Sequence, residues 1–169
     1  MNGGMELYLH MPFCVRKCAY CDFLSFPTDQ ETQNLYTRRL REDIDAMGKK
    51  YGDIPVVTFF IGGGTPSVPD SALIVGIMEH VRKAFHVAEG AEISMEANPG
   101  TVTREKLTDY RRAGINRLSF GLQSANDREL KLLGRIHTWA EFLESFHLAR
   151  ECGFTNINID LMSALPGQT

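Results

Sequence analysis

The sequence has few of the features that mark membrane, nucleic-acid-binding or secreted proteins. No apolar run approaches the roughly 20 residues that a helix needs to cross a bilayer. No segment is strongly basic, and the formal net charge is −3 over 169 residues. The amino-terminal segment lacks the basic and apolar parts of a signal peptide. We therefore expect a cytoplasmic protein with no nucleic-acid partner and no indication of membrane association.

Cysteine is scarce, yet three of the four cysteines, Cys14, Cys18 and Cys21, are crowded into one short stretch. A structural disulfide there is disfavoured, because such bonds are rare in the reducing cytosol. Structural zinc usually takes four ligands in two pairs, and His10 is the only nearby candidate for a fourth. An iron–sulfur cluster with one open iron needs only these three thiolates. The spacing therefore favours a cluster and leaves zinc open. The fourth cysteine, Cys152, lies far along the chain and reads as a small apolar residue.

Apolar periodicity and turn residues predict a repeating strand–helix pattern. The predicted strands are 6–11, 56–62, 92–97, 116–123 and 155–162. The predicted helices are 31–49, 71–85, 104–113, 127–133 and 140–151. Asn126 and the pair Thr138 and Glu141 fit helix caps. Repeated βα units predict a parallel sheet with helices outside, as a barrel or a doubly wound sheet.

Several predicted strands alternate polar and apolar residues, although strands covered on both faces of a parallel sheet usually read as continuous apolar runs. The apolar residues can pack on helices, which leaves a shared polar row on the other face. Burying that row in a dry core would be costly. We therefore expect a curved, TIM-barrel-like sheet with a wet, ligand-binding concave face. The polar row consists of Glu6, Tyr8, His10, Glu92, Ser94, Glu96, Arg117, Ser119, Gly121, Gln123, Asn156, Asn158 and Asp160.

The cysteine motif resembles that of the radical S-adenosylmethionine (SAM) superfamily, Cys-x3-Cys-x2-Cys with an aromatic residue, here Tyr20, before the last cysteine. The segment FFIGGGTPS resembles the glycine motif of the same superfamily. The resemblance implies that Cys14, Cys18 and Cys21 hold a 4Fe–4S cluster whose open iron binds SAM. It also implies a partial (β/α) radical SAM barrel and a reductant that supplies electrons to the cluster.

Further segments narrow the resemblance to the branch that contains oxygen-independent coproporphyrinogen III oxidase and the HemW heme chaperones. These are LYLHMPFCVRKCAYCDF, EISMEANPGTVT, GINRLSFGLQSANDRELKLLGRIHT and NINIDLMSALPGQT. The resemblance implies a set of SAM contacts: Tyr8, Tyr20, Gly63, Gly64, Thr65, Glu96, Gln123, Arg135 and Asp160. Among these, Arg135 is expected to present a two-pronged guanidinium to the SAM carboxylate, although an exposed arginine at a helix end is the alternative.

The chain also departs from this branch. The oxidase has a further cysteine two residues after the third cluster ligand, where this chain has Phe23, and it has a longer segment before the cluster. The family barrel has six strands and a second domain. We expect residues 1–169 to be a radical SAM core domain that stops after about the fifth strand, without the carboxy-terminal domain.

These departures favour a heme chaperone, in which the full-length parent binds heme and transfers it to an unknown acceptor protein. The alternative is the oxidase, which decarboxylates porphyrinogen propionates with a 5′-deoxyadenosyl radical; Phe23 and the short amino-terminal segment disfavour it. A zinc or structural module is the third hypothesis. No catalytic residue is assigned.

Overall fold

A computed structural model describes residues 3–168. Five strands and five helices alternate along the chain, with two helices between the last two strands. The strands are β1 (Met5–Met11), β2 (Val56–Gly63), β3 (Val87–Ala97), β4 (Arg117–Gln123) and β5 (Asn156–Leu161). The helices are α1 (Gln30–Tyr51), α2 (Ser71–Ala84), α3 (Arg104–Arg112), α4 (Asp127–Leu132) and α5 (Trp139–Glu151).

The five strands form one parallel sheet in the order β1-β2-β3-β4-β5. Each strand pairs with the next one in the chain, as in a (β/α) barrel, whereas a doubly wound sheet reverses its strand order. The predicted partial (β/α) barrel, with parallel strands and outer helices, is therefore confirmed. All predicted elements agree with the observed bounds to within two residues, except the start of β3.

Strand β3 begins at Val87, five residues before the predicted start. Val56 of β2 pairs with Val87, and the register then shifts before Thr58 pairs with Glu92. Gly90 lies between these two paired positions with a φ of +77°. Glycine adopts this conformation readily, so it marks a strand irregularity as well as a turn. The predicted strand, 92–97, starts two residues after this glycine.

The hydrophobic core lies between the outer face of the sheet and the helices. It joins Phe59, Ile61, Met95 and Phe120 of the central strands to helix residues such as Ile77. The predicted apolar rows of β1, β3 and β4 are largely buried in this way. That of β5 is not.

In β5, Ile159 is 38% exposed and Leu161 is 68% exposed. The expectation that this row packs on a helix is wrong for these two residues. No helix follows β5 within residues 3–168 to cover them.

Both predicted helix caps are present. The Asn126 side chain accepts a hydrogen bond from the Arg128 amide at the start of α4. Thr138 and Glu141 form a reciprocal capping box at the start of α5. The capping box fixes one end of the loop between α4 and α5, which reaches the candidate site. Of the helices described, none is both long and apolar enough to span a membrane.

Candidate functional site

The polar residues of neighbouring strands lie side by side on the concave face of the sheet. Glu96 pairs with Ser119, and Ser119 pairs with Asn158. One step further towards the carboxyl ends of the strands, Gly121 pairs with Asp160. The parallel register therefore gathers polar groups from three strands at the edge where βα-barrel sites form.

A cavity of about 480 Å³ opens at this edge. Every predicted site residue lines it except Tyr8. The predicted residues in its wall are Cys14, Cys18, Tyr20, Cys21, Gly63, Gly64, Thr65, Glu96, Gln123, Arg135 and Asp160. A cavity of about 520 Å³ lies at the opposite edge, near Arg82 and His86, and contains none of them. The carboxyl-edge cavity is the candidate site, because its wall carries the thiols and carboxylates.

Tyr8 lies outside the cavity and is 58% exposed. Its ring stacks on Phe60 at a centroid distance of 6.2 Å. A 3.0 Å hydrogen bond joins its hydroxyl to Nδ1 of His10. The structure therefore places Tyr8 on the predicted face of β1 and outside the cavity wall, where burial and the charge of Glu96 raise its pKa.

The cysteine loop is anchored to the barrel at both ends. The Cys14 amide donates to the Phe26 carbonyl at 3.2 Å, and the Phe26 amide donates to the Pro12 carbonyl at 2.9 Å. In the middle of the loop, Nη2 of Arg16 donates to the Gly134 carbonyl at 2.7 Å. The loop is thus attached to its own strand and to the loop between α4 and α5.

The three thiols are free and half-buried, so all are available as ligands. Within residues 3–168, no three His, Cys, Asp or Glu side chains converge on a point where they would share one metal ion. In a 4Fe–4S cluster each thiolate binds a different iron, so three thiolates leave one iron open. The donor set therefore fits a cluster with one iron not bound by cysteine.

The glycine segment forms a close wall beside the cysteine loop. A Cβ atom at Gly64 would lie 2.6 Å from the Phe13 carbonyl oxygen and 3.1 Å from the Cys14 sulfur. Gly63 has a φ of +121°, and a Cβ atom there would lie 2.7 Å from the His10 ring. Only glycine lets the backbone approach the thiol and a ligand this closely.

Glu96 is held at the inner end of the cavity by the glycine segment. Its Oε2 accepts a 3.0 Å hydrogen bond from the Gly63 amide. Burial raises the pKa of Glu96, and the negative charge of Asp160 acts in the same direction. The Gly63 hydrogen bond and His10 partly offset this rise. A buried carboxylate with one oxygen engaged leaves its other oxygen for a ligand hydroxyl.

Asp160 and Gln123 complete the far wall. The Asp160 carboxylate accepts hydrogen bonds from the Ser119 hydroxyl at 3.2 Å and the Asn158 amide at 2.7 Å. Gln123 adopts a φ of 72°, which is uncommon for a residue with a side chain. Such conformations concentrate where the chain must present a side chain to a site.

The Arg135 guanidinium is engaged by the protein itself. Its Nη2 donates to Oδ1 of Asn98 at 2.6 Å and to the Gly121 carbonyl at 2.5 Å. Its Nη1 lies 3.5 Å from the Cys18 sulfur. Nε is buried and has no partner among the described residues. Arg135 is therefore a cavity-wall residue in contact with the cysteine loop, rather than an exposed residue at a helix end.

Burial raises the pKa of Tyr20, which outweighs the opposite influence of the nearby Arg135. The residue therefore stays a neutral phenol near neutral pH. Its ring is 38% exposed and lines the cavity. Tyr20 can thus present an apolar ring and a hydroxyl to a ligand without adding charge.

The sequence reasoning did not single out Asn98 or Met162, which also line the cavity. A signal for Asn98 was present, because it lies two residues after Glu96 and so continues the same face of the chain. Neither Cys152 nor the buried His137 lines the cavity. Burial lowers the pKa of His137 to about 4, and the Arg135 charge acts in the same direction.

The sequence model of the radical SAM superfamily matches residues 8–169. Among curated proteins, the heme chaperone HemW of Escherichia coli K12 is 43% identical over 171 residues. That alignment covers 98% of this chain and 44% of the relative. The heme chaperone HemW of Bacillus subtilis 168 is 38% identical, with 96% of this chain and 43% of the relative covered.

Among solved structures, coproporphyrinogen III oxidase (HemN) from Escherichia coli, described as a radical SAM enzyme, superposes with a TM-score of 0.90. Its sequence identity is 33%, and the match covers 100% of this chain and 39% of that chain. The chain thus spans less than half the length of the relatives it matches.

Proposed function

The chain belongs to the radical SAM superfamily, and on that premise we propose that it is the radical SAM core domain of a heme chaperone. Membership implies a 4Fe–4S cluster and SAM. When bound and reduced, this pair supplies a 5′-deoxyadenosyl radical by cleavage of SAM. The assignment of each residue to cluster, SAM or heme function is the proposal developed below.

Cys14, Cys18 and Cys21 would hold the cluster. Three observations support this assignment: their thiols are free, they line one cavity, and Gly64 makes room beside the Cys14 sulfur. Three protein thiolates leave one iron of a four-iron cluster for a ligand that enters from the cavity. Arg16 secures this loop against Gly134, so the thiolates keep their positions when a ligand arrives.

The cavity wall divides into groups that suit the different parts of SAM. Glu96 and Asp160 supply carboxylate oxygens that can accept hydrogen bonds from ribose hydroxyls. Gly63 and Gly64 carry no side chain, so their carbonyls can be approached by the amino group of the amino acid part. Both of their amides already donate, to Glu96 and to the Met11 carbonyl. Arg135 lies in the cavity wall, where its guanidinium supplies a positive charge for the carboxylate of SAM.

The heme chaperone is favoured over the oxidase by the curated relatives and by Phe23. The HemW chaperones align over nearly all of this chain. Phe23 lines the cavity and is 66% exposed, at the place where the oxidase branch has a further cysteine. An apolar ring at the cavity mouth cannot donate or accept a proton, whereas it offers contact area to a flat tetrapyrrole. Heme, its acceptor protein and the reductant of the cluster are therefore the proposed partners of the whole protein.

The deciding assay uses the full-length protein loaded with cluster. It is incubated without oxygen with SAM, a reductant and coproporphyrinogen III, and porphyrin products are measured. The variant with alanine at all three cluster cysteines sets the background. We expect no product above that background, and in a parallel experiment we expect stoichiometric heme binding and transfer to an apo-globin. Product formation above background, or failure to bind heme, would overturn the chaperone assignment.

A further inference from the structure

A continuous path of polar contacts joins two of the three cluster cysteines through the cavity wall. The Cys14 sulfur lies 3.7 Å from Oγ1 of Thr65. Nδ2 of Asn98 donates to the same Oγ1 at 2.8 Å, and Oδ1 of Asn98 accepts from Nη2 of Arg135 at 2.6 Å. Nη1 of Arg135 lies 3.5 Å from the Cys18 sulfur. Asn98 therefore lies at the midpoint of a path from one thiol to another.

The direction of each hydrogen bond in this path follows from the chemistry of its members. A guanidinium only donates, so the amide oxygen of Asn98 must face Arg135. The amide nitrogen must then face Thr65, and the Thr65 oxygen must accept from it. The hydroxyl has one hydrogen of its own, and the Cys14 sulfur is the acceptor within reach. Both ends of the path therefore present a donor to a cysteine.

Asn98 is itself firmly held, which gives the path a fixed geometry. The backbone amide of Asn98 donates to Oγ of Ser67 at 3.2 Å. The backbone carbonyl of Asn98 accepts a hydrogen bond from the Thr101 hydroxyl at 2.8 Å. Thr65 is 2% exposed, so water does not compete for its hydroxyl. A fixed, dry donor interacts with a nearby charge more strongly than a mobile, solvated one.

We propose that Asn98 is a positioning residue that sets the reduction potential of the cluster by aiming two donors, Thr65 and Arg135, at the thiolates of Cys14 and Cys18. Reduction adds negative charge to the cluster and its sulfurs, so donors to the thiolates stabilise the reduced form and raise the potential. This inference rests on the proposed cluster site. It adds a role for Asn98 that does not require contact with SAM or heme.

The test is potentiometry of the cluster-loaded protein without SAM, followed by electron paramagnetic resonance of the reduced form. Thr65→Val keeps the shape of the side chain and removes the hydroxyl. We expect it to disfavour reduction by up to about tenfold, the scale of one hydrogen bond, or about 59 mV for one electron. Thr65→Ser keeps the hydroxyl and should retain the wild-type potential. An unchanged potential in Thr65→Val, or an equal shift in both variants, would overturn the inference.

Asn98→Asp tests the midpoint of the path. An aspartate can still accept from Arg135, but it accepts from Thr65 instead of donating, so the hydroxyl hydrogen turns away from Cys14. We expect a lower potential, both because the hydroxyl hydrogen is diverted and because the aspartate adds a negative charge near the cluster. We expect Thr65→Val to add little in this background, because the Thr65 hydroxyl is already diverted from Cys14. A full additional shift in the double variant would show that Asn98 does not act through Thr65, and would contradict the proposal.

Iron and sulfide content separates this inference from the proposed function. A wild-type protein that never acquires a four-iron cluster would refute the cluster site itself. If Thr65→Val and Asn98→Asp each form the cluster at wild-type content and each keep the wild-type potential, only the role of Asn98 is refuted. If Asn98→Asp loads poorly, the comparison of the two Thr65 variants decides.

Discussion

Replacement of Glu96 by glutamine should weaken SAM binding while leaving the fold intact. The glutamine side chain keeps an oxygen that can accept from the Gly63 amide, a bond of 3.0 Å in the structure. It removes the negatively charged oxygen that would accept a hydrogen bond from a ribose hydroxyl. Hydrogen bonds to charged groups contribute about 1.5–3 kcal/mol. The loss corresponds to a decrease in affinity of roughly 10- to 150-fold.

Replacement of Glu96 by alanine should do more damage than glutamine. It removes the same ligand contact and also leaves the Gly63 amide without its acceptor. An unsatisfied buried donor costs about 1–3 kcal/mol. We therefore expect Glu96→Ala to lower both SAM affinity and the free energy of unfolding, whereas Glu96→Gln lowers affinity alone.

Calorimetry with cluster-loaded protein under anaerobic conditions measures the affinity, and thermal unfolding measures the stability. Glu92→Gln is the matched control, because Glu92 lies on the same strand and face but outside the cavity.

Burial raises the pKa of Glu96, so its carboxylate takes up a proton at a higher pH than an exposed glutamate. SAM affinity should fall as the pH is lowered through that pKa, and Glu96→Gln should lack this dependence. Equal SAM affinity in wild type and Glu96→Gln would refute the placement of the ribose at Glu96.

Two further predictions concern the cysteine loop and the buried histidine. Gly64→Ala should lower the cluster content and destabilise the fold by about 1–3 kcal/mol through overpacking, because the new Cβ atom would lie 2.6 Å from the Phe13 carbonyl oxygen. Gly3→Ala, where a Cβ atom meets open space, is the control. Equal iron content in the two variants would contradict this prediction. His137 has a pKa of about 4 in the folded protein and about 6.5 when unfolded, so its contribution to stability is present above pH 6.5 and is lost as the pH falls towards 4. Denaturant unfolding of the cluster-free protein should show a loss of about 2 kcal/mol between pH 7 and pH 5 that His137→Phe lacks; the same loss in the variant would refute this assignment.

The fold could be predicted because each strand carries a period-2 pattern and each helix an amphipathic one. Four strands were predicted to within two residues of their observed bounds. The start of β3 was missed because Gly90, which has a φ of +77° inside the strand, looks like a turn residue in the sequence. The exposure of Leu161 was missed because a pattern shows which residues are apolar and not what covers them.

The candidate site was predicted less completely, because hydrogen-bond partners are set by three-dimensional contacts. The alternation of polar and apolar residues correctly predicted that Glu96 and Asp160 face the cavity. The same reasoning placed Tyr8 on the concave face, where its hydroxyl is hydrogen-bonded to His10 outside the cavity wall. Asn98 was missed because its importance comes from two partners, Thr65 and Arg135, that are distant in sequence and meet only in the folded chain.

The central claim is that three cysteines hold a four-iron cluster whose remaining iron binds SAM. Electron paramagnetic resonance of the anaerobically reconstituted, reduced protein, with and without SAM, tests it most directly. We expect iron and sulfide to approach four each per chain, the triple alanine variant of Cys14, Cys18 and Cys21 to lose both, and the cluster signal to change when SAM is added. Stoichiometric zinc without iron in an anaerobic preparation, or a cluster signal that SAM leaves unchanged, would contradict the claim.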